Sequence, residues 1–199
     1  MEKFFHDKAK VPPLVKAGLI HAQFETIHPF LDGNGRVGRL LITFYLCQEK
    51  ILIRPLLYLS AFFKKHRRDY YDKLNAYRFS EKGARDWLKF FLEGVRAVSE
   101  EAVATAQNIT KLHHDNVRAV SAFGRNAETA LKLLNRLYSQ PVVDGVSISK
   151  ITGIHSKANV SALIEKFVKA GILHELTGKA RYRRFLYRDY IRRFSEEKI

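Results

Sequence analysis

Apolar residues recur at helical spacing through most of the first 140 residues, and the polar–apolar alternation of half-buried strands is almost absent there. Residues 13–27 form an apolar-rich stretch that is too long for a typical strand, and Pro12 and Pro13 suit the first turn of a helix. A second helix is predicted to open at Asn34 or Gly35. Its predicted buried face consists of Val37, Leu40, Leu41, Phe44 and Tyr45. The spacing predicts that this part of the chain is all-α.

Further helices are predicted before residue 122. Arg54-Pro55 is predicted to end the helical pattern that precedes it, and Ser60 is a candidate N-cap for the next helix. Gly83 is predicted to separate that helix from a long one over residues 87–106. A last helix of this part is predicted to run to about Val120.

The rhythm changes after Gly124-Arg125-Asn126, which is a candidate hinge. Short helices are predicted over residues 127–138 and 147–153. A third is predicted to begin at Ser156 or Asn159, and Gly171 is predicted to end it.

A turn is predicted over residues 141–145, and two strands, 172–175 and 181–187, are predicted to pair. Three short helices followed by a hairpin is the layout of a winged helix-turn-helix. The sequence therefore predicts a mainly α protein with two domains, residues 1–122 and 123–199.

Composition indicates a protein of a reducing compartment with a strongly basic surface. The 199 residues carry a net charge of +15, and both halves of the chain are basic, which favours phosphates or acidic partners. The single cysteine, Cys47, excludes an internal disulfide framework and is interpreted as a packing residue. Neither a run of eighteen apolar residues nor a signal-peptide pattern is found, so a cytoplasmic location without a membrane partner is predicted.

The segment from His28 to Arg39, HPFLDGNGRVGR, combines residues suited to phosphate chemistry. It matches the glycine spacing of a dinucleotide-binding loop, but a predicted helix precedes it and Ile53 to Ser60 contains no carboxylate. The Walker A pattern also fails, because no Gly-Lys-Ser/Thr follows. A plain glycine-rich turn is the remaining alternative, and it explains neither three glycines nor the charged residues beside them.

Helix physics gives these residues specific roles. The first amides of a helix lack internal partners, and glycines at Gly33, Gly35 and Gly38 would let an anion approach them. Arg39 lies one turn along and is predicted to reach a terminal phosphate. Asp32 is a candidate Mg²⁺ ligand, and His28 is a candidate base for a hydroxyl proton.

This segment resembles the signature of the Fic family at every fixed position. The upstream residues 24–27 and the later Tyr70-Tyr71-x-x-Leu74 also resemble family members, as does the C-terminal part. The resemblance implies a Fic-type helical core that transfers AMP from ATP to a Tyr, Ser or Thr hydroxyl of a protein. The resemblance implies that His28 is the base, that Phe30 anchors the loop in the core and that Asp32 binds Mg²⁺. It implies that Gly33, Asn34 and Gly35 form the anion hole, supported by Arg36 in a nucleotide-binding segment that also contains Val37 and Gly38. It further implies that Arg39 binds the γ-phosphate and that Tyr70 or Tyr71 lies beside adenine.

Two departures from the family pattern carry expectations. No inhibitory Ser/Thr-x-x-x-Glu-Gly/Asn string is found, and Lys89 stands where the hydroxyl residue before Glu93-Gly94 should be. The family's flap, which holds the target segment, belongs upstream of the first helices, so the resemblance implies the C-terminal portion of a longer member. We expect such a portion to bind ATP but to label mainly itself.

Alternatives follow from the same features. The chain is either an adenylyltransferase or a DNA- or protein-binding regulator with a truncated, impaired Fic core. Phosphorylation with a reversed nucleotide is disfavoured, because family members of that kind have a lysine where Gly35 stands. From Lys179 to Arg193 there are seven Lys and Arg but one Asp, interleaved with aromatic residues, which indicates either DNA contact or a basic hairpin used for packing or dimerisation.

Overall fold

The computed structural model describes residues 11–54, 57–179 and 181–194. The expectations that concern the first ten residues and the break at Pro55 lie outside the described residues. The chain divides into two compact units, residues 1–102 and 103–199. The division falls inside a helix, whereas the sequence predicts a domain boundary at residues 122 and 123.

The first unit is built from helices. These are α1 Pro13–Ile27, α2 Asn34–Gln48, α3 Leu59–Lys65, α4 Arg67–Tyr77 and the first half of α5 Glu81–Ser121. Its core is aromatic-rich, with Trp87 and Phe91 of α5 fully buried beside Ile20 of α1 and Leu46 of α2. Among the described residues, no helix is long and apolar enough to cross a lipid bilayer.

The buried face of α2 differs from the predicted one. Leu40 and Phe44 are more than half exposed, and only Tyr45 of the predicted set is fully buried. The buried positions are instead Asn34, Gly38, Ile42, Tyr45 and Leu46. The face is rotated because Gly38, which has no side chain, lets α1 approach this side of α2 closely. Apolar periodicity does not register glycine, so the spacing predicts a neighbouring face.

Two predicted helix boundaries are wrong. Ser60 lies inside α3, whose N-cap is Tyr58 without a side-chain hydrogen bond, and the helical segment is interrupted at His66. The two helices predicted after Gly83 are one continuous α5. Gly83 lies in its first turn, where its N–H donates to Ser80 Oγ at 3.0 Å. Ser80 is therefore the cap that the sequence argument missed.

Gly83 is required by packing, and this gives a stability prediction. A Cβ built at Gly83 would lie 2.1 Å from the backbone oxygen of Ala76, a clash with backbone that no rotamer relieves. Overpacking of this kind costs about 1–3 kcal/mol. We expect Gly83→Ala to lower the urea midpoint of the first unit, followed by fluorescence of Trp87, the only tryptophan.

Gly145→Ala is the matched control for this substitution. Its Cβ would meet only Val160 Cγ1, at 3.9 Å, and Gly145 belongs to the second unit. We expect it to leave the Trp87 transition unchanged. Equal midpoints for Gly83→Ala and the parent chain would contradict the packing argument.

The second unit joins helices to a small sheet. After the second half of α5 and a 3-10 turn at Gly124–Asn126 come α6 Ala127–Leu137, β1 Val142–Asp144, α7 Gly145–Thr152, α8 Lys157–Lys169, β2 His174–Glu175, β3 Arg184–Leu186 and α9 Arg188–Ile191. The three strands are antiparallel in the order β1-β3-β2. Their core contains Leu133, Ile148, Leu163, Phe167 and Phe185.

The predicted turn at residues 141–145 is in part a strand. Val143 pairs with Phe185, and Glu175 also pairs with Phe185 from the other side, so β3 is the central strand. Asp144 ends β1 and caps α7, because its carboxylate accepts from the Ser147 N–H at 2.8 Å. The predicted pairing of the two later strands is confirmed, and the winged-helix description stays a prediction.

The two ends of α8 follow local sequence signals. Ser156 is its N-cap, and the side chain accepts from the Asn159 N–H. At the C-terminal end Gly171 adopts φ 72°, and the N–H groups of Gly171 and Ile172 donate to Val168 and Phe167. This is a Schellman motif, in which glycine supplies the left-handed conformation. The predicted stop at Gly171 is confirmed.

Candidate functional site

The loop between α1 and α2 begins with a histidine in an unusual backbone conformation. His28 is the C-cap of α1 at φ 49°, ψ 57°, and its N–H donates to the Phe24 carbonyl at 2.9 Å. A left-handed non-glycine residue is uncommon, but the following Pro29 disfavours the right-handed helical region. The imidazole is 60% exposed, and its Nδ1 lies 4.0 Å from Glu25 Oε2. The helix end therefore presents His28 to solvent.

The Asn34 side chain closes this loop. Asn34 is 2% exposed, its Nδ2 donates to the Phe30 carbonyl at 2.5 Å, and its Oδ1 accepts from the Phe30 N–H at 2.9 Å. Phe30 was predicted to anchor the loop in the core, yet its ring is half exposed and packs against Phe24. The anchor is the asparagine amide, so only the Asn34 backbone remains for an anion.

The N-terminus of α2 presents unpaired amides. Gly33 is the N-cap at φ 82°, and its carbonyl accepts from the N–H groups of Arg36 and Val37. Within the described part of the chain, the N–H groups of Asn34 and Gly35 have no acceptor. They lie at the positive end of the helix dipole. This end of α2 is suited to bind an anion.

The two helical glycines of the motif have different surroundings. A Cβ at Gly35 would lie 3.1 Å from Arg39 Nη1, so the guanidinium folds over the first turn of α2. A Cβ at Gly38 would lie 2.6 Å from Glu25 Oε1 and 3.1 Å from the Phe24 ring. Gly38 is buried against α1. The absence of a side chain at Gly38 lets the two helices pack closely, whereas Gly35 borders the unpaired amides.

Buried polar side chains lie beside Arg39. The Arg39 guanidinium lies close enough to the Tyr70 hydroxyl to lower the pKa of that hydroxyl, against the larger effect of burial, and the hydroxyl lies 3.0 Å from His21 Nε2. His21 is fully buried and stacked beside Phe63 and Trp87. Burial, with a smaller effect of the Arg39 charge, lowers the pKa of His21 to about 4. A neutral histidine therefore orients the tyrosine that contacts Arg39.

Sequence reasoning missed His21, although a signal was present. His21 lies between Ile20 and Ala22 on the apolar helix α1, one turn before Glu25. A polar residue in the middle of such a buried run must find a partner, since unpaired buried polar groups are costly. The partner, Tyr70, is 49 residues away and could not be identified from spacing.

The two tyrosines of α4 occupy different environments. Tyr70 is 5% exposed, and burial raises the pKa of its hydroxyl well above the ordinary value. Tyr71 is half exposed, with the Arg67 guanidinium 5.8 Å from its ring centroid. Only Tyr71 offers an accessible ring face to a ligand.

Asp32 and Arg36 lie at the exposed mouth of the loop. The Asp32 side chain is 96% exposed, with Oδ2 at 3.6 Å from Arg36 Nη2. Its Oδ1 accepts from the Gly33 N–H at 2.6 Å. No group of three or more His, Cys, Asp or Glu side chains suited to a metal was found among the described residues. A metal here would have one carboxylate ligand and would need others from its substrate.

Glu25 lies between the main charged groups of the site. Its side chain is 11% exposed, and no hydrogen-bond partner for Oε1 is present in the described residues. Burial raises the pKa of its carboxyl, while His28, Arg39 and Arg78 oppose that shift. Arg78 Nη2 also donates to the Glu25 backbone carbonyl at 3.2 Å. The Glu25 carboxylate thus adds a negative charge near Arg39, Arg78 and His28.

Comparisons with known proteins agree with this motif. The Fic/DOC family matches residues 1–46, which include the whole loop. The chain is 50% identical over 44 residues to a probable protein adenylyltransferase of Aquifex aeolicus (strain VF5), a match covering 22% of this chain and 14% of that protein. It is 57% identical over 35 residues to a Fido domain-containing protein of Dictyostelium discoideum, covering 18% and 24%.

A solved structure resembles a larger part of the chain. It is the crystal structure of a Fic family protein from Desulfovibrio desulfuricans G20, with a TM-score of 0.48 and 20% sequence identity. The match covers 99% of this chain and 53% of that one. The matches to the two curated relatives span less than a quarter of the length of either.

Proposed function

We propose that this chain, whose residues 1–46 match the Fic/DOC family, is a protein adenylyltransferase. It would transfer AMP from ATP to the hydroxyl of a Tyr, Ser or Thr side chain in a protein. The name of the relative from Aquifex aeolicus supports the reaction class. The whole reaction is a proposal for this chain, since the curated relatives match it over a short segment.

One observation carries the proposal: a base, unpaired amides and a guanidinium converge on one loop. The N–H groups of Asn34 and Gly35 face no internal acceptor, and Arg39 folds over the same turn of α2. His28 is exposed at the end of α1, six residues before Asn34. Amides at a helix N-terminus are suited to phosphate oxygens. The proposed phosphate site would therefore have a proton acceptor on the same loop.

The residues of the loop divide the chemistry among them. His28 would accept the proton of the target hydroxyl while the hydroxyl oxygen forms a bond to the α-phosphorus. The bond from that phosphorus to the oxygen bridging to the β-phosphate breaks, and pyrophosphate leaves. The Asn34 and Gly35 amides would stabilise the charge that develops on the transferred phosphoryl group. Arg39 would hold the terminal phosphate, so that the α-phosphate faces His28.

Asp32 fits a role in holding Mg²⁺. Its carboxylate is 96% exposed, and Mg²⁺ is usually bound through one or two carboxylates together with substrate phosphates. When bound, the ion would neutralise charge on the phosphate oxygens. Arg36, 3.6 Å from the same carboxylate, would contribute a second positive charge at this edge of the site.

Labelled nucleotides test the proposal directly. The full chain is incubated with Mg²⁺ and ATP labelled at either the α- or the γ-phosphate, alone and with candidate target proteins. AMP transfer predicts covalent label from the α-labelled nucleotide only. Label from the γ-position would indicate phosphorylation instead. The absence of any label with bound ATP would favour the alternative of a regulator with an impaired core.

The buried support of Arg39 predicts a selective effect of Tyr70→Phe. The substitution removes the hydroxyl that contacts Arg39 and keeps the ring. Loss of one polar interaction typically costs about 1 kcal/mol, which corresponds to roughly fivefold in affinity. We expect ATP to bind about fivefold more weakly by calorimetry. AMP, which lacks the terminal phosphates, should bind as it does to the parent chain.

Tyr71→Ala is the comparison for that experiment. Tyr71 has the accessible ring, so its loss should weaken ATP and AMP by the same factor. If Tyr70→Phe also weakened both nucleotides equally, Tyr70 would act on the adenosine part and the assigned support of Arg39 would be wrong.

A further inference from the structure

The outward face of α8 carries small and polar side chains. Val160, Leu163, Ile164 and Phe167 point into the core of the second unit. The exposed positions of its first two turns are Lys157, Ala158, Asn159, Ser161 and Ala162. Protein interfaces are enriched in aromatic residues, Met and Arg at their centres, and this face has none of them. Small side chains let a helix backbone come close to another surface.

The segment before α8 holds this face in a fixed position. α7 ends at Gly153, whose φ of 74° turns the chain, and residues 153–156 lead into α8. Ser149 Oγ donates to the Ile154 carbonyl at 2.6 Å across this turn. Two short helices joined by a four-residue turn with glycine form a helix-turn-helix unit. The N-terminal turn of α8 is the exposed end of that unit.

A basic loop follows α8 in the same unit. The loop between β2 and β3 carries Lys179, Arg181 and Tyr182, all exposed, with Tyr182 93% exposed at φ 56°. Arg183 in the same loop binds Glu175 at 2.5 Å. That hydrogen bond, and secondarily the charge of Glu165 on α8, raise the pKa of the Arg183 guanidinium. The loop and α8 belong to the same compact unit, in which β2 follows α8 along the chain.

The charges of this region favour an anionic partner. No carboxylate lies within 4 Å of the charged groups of Lys157, Lys179 or Arg181 in the described part of the chain. From Arg125 onward the sequence contains fifteen Lys and Arg and seven Asp and Glu. Glu175, at the end of β2, is paired with Arg183. A positive field remains at the first turns of α8 and at the loop.

We propose that these two elements form a binding surface for double-stranded DNA. The α8–loop surface consists of Lys157 and Asn159 on α8 and Lys179, Arg181 and Tyr182 on the β2–β3 loop. The first turns of α8 enter the major groove, where an asparagine amide can read adenine. The loop contacts the phosphate backbone beside that groove. An acidic protein is the competing partner, and the small, polar face of α8 fits it less well.

The test is the salt dependence of binding to a labelled 30-base-pair duplex pool of random sequence. The full 199-residue chain should bind in the micromolar range, with an affinity that falls steeply as salt rises. The double substitution Lys179→Glu and Arg181→Glu should weaken binding at least tenfold. Removing two phosphate contacts should also flatten the log–log salt slope by about 1.8.

Arg125→Glu supplies the control for general charge. It makes an exposed basic residue acidic, and it lies two residues from Phe123, whose carbonyl contacts Lys166 near the far end of α8. Because Arg125 is not part of the α8–loop surface, binding should weaken less than threefold. A loss as large as that of the loop variant would overturn the proposal, because it would indicate a diffuse charge effect.

Asn159→Ala tests the groove contact. It should reduce the preference among sequences selected from the pool while leaving the salt slope unchanged. Equal binding of the parent chain to heparin or an acidic protein, with no effect of Asn159→Ala, would overturn the assignment to DNA. So would an absence of binding at 50 mM salt. Circular dichroism of every variant checks that the fold is retained.

Discussion

Replacing His28 with alanine is expected to abolish AMP transfer while ATP still binds. His28 is exposed at the C-terminal end of α1. In the proposed mechanism it takes the proton of the target hydroxyl. Loss of such a base typically slows a reaction by about 10²–10⁴-fold. Nucleotide affinity should change little, since in the proposed mechanism the amides of α2 and Arg39 hold the phosphates. Covalent label from α-labelled ATP and calorimetric titration of ATP measure the two quantities separately.

His155→Ala is a matched control for that experiment. His155 is an exposed histidine of the second unit, outside the loop, and its removal should leave transfer unchanged. Transfer by His28→Ala at the parental rate would remove the base role. A large loss of ATP affinity in the same variant would instead assign His28 to binding.

Gly35→Asp is expected to eliminate ATP binding without weakening the fold. Its carboxylate would lie beside the unpaired amides, where the phosphates are proposed to bind, and near the Arg39 guanidinium. Two like charges about 4 Å apart repel by several kcal/mol at a protein surface, so a loss of at least about 100-fold is expected. An acidic residue in the first turn stabilises a helix. Thermal stability should therefore be equal or higher while titration of ATP shows little binding.

Gly35→Ala separates size from charge at this position. Its Cβ would lie 3.1 Å from Arg39 Nη1, the mobile end of a long side chain, so a moderate effect on affinity is expected. If Gly35→Asp bound ATP as tightly as Gly35→Ala, the phosphate site would lie elsewhere.

Signals that act over a few residues predicted structure well. The N-cap at Ser156, the stop at Gly171 and the position of the motif between two helices all agree with the structure. Each depends on backbone hydrogen bonds within one turn, so the residues involved are adjacent in sequence. The predicted fold class, mainly α, rests on the same short-range periodicity and is confirmed.

Features that depend on distant residues were not predictable in the same way. The continuity of α5 past residue 106 and the strand at Val142–Asp144 depend on partners elsewhere in the chain. In isolation, Gly83 predicts a break between helices. It lies instead in the first turn of α5, where the backbone of Ala76 is too close to leave room for a side chain. The buried face of α2 was misassigned for a related reason, since Gly38 marks a close helix contact.

The candidate site shows the same division. Its sequence indicates which residues gather at the loop, because they are consecutive. It does not indicate that the Asn34 side chain would hold Phe30, or that His21 and Tyr70 would support Arg39. Those contacts arise when α1, α2 and α4 come together. Local sequence therefore predicted which residues form the loop, and tertiary packing determines how rigidly they are held.

The two hydrogen bonds between the Asn34 side chain and the Phe30 backbone should also affect the rate at which Asn34 deamidates. An Asn-Gly sequence in a flexible chain deamidates when the glycine nitrogen attacks the asparagine side chain and closes a succinimide ring. Here both polar atoms of the Asn34 side chain bind Phe30, and the residue is 2% exposed. Ring closure would require these bonds to break and the first turn of α2 to unwind. Asn34 should therefore deamidate slowly in the folded protein, and the rate of its deamidation should report how often the loop opens.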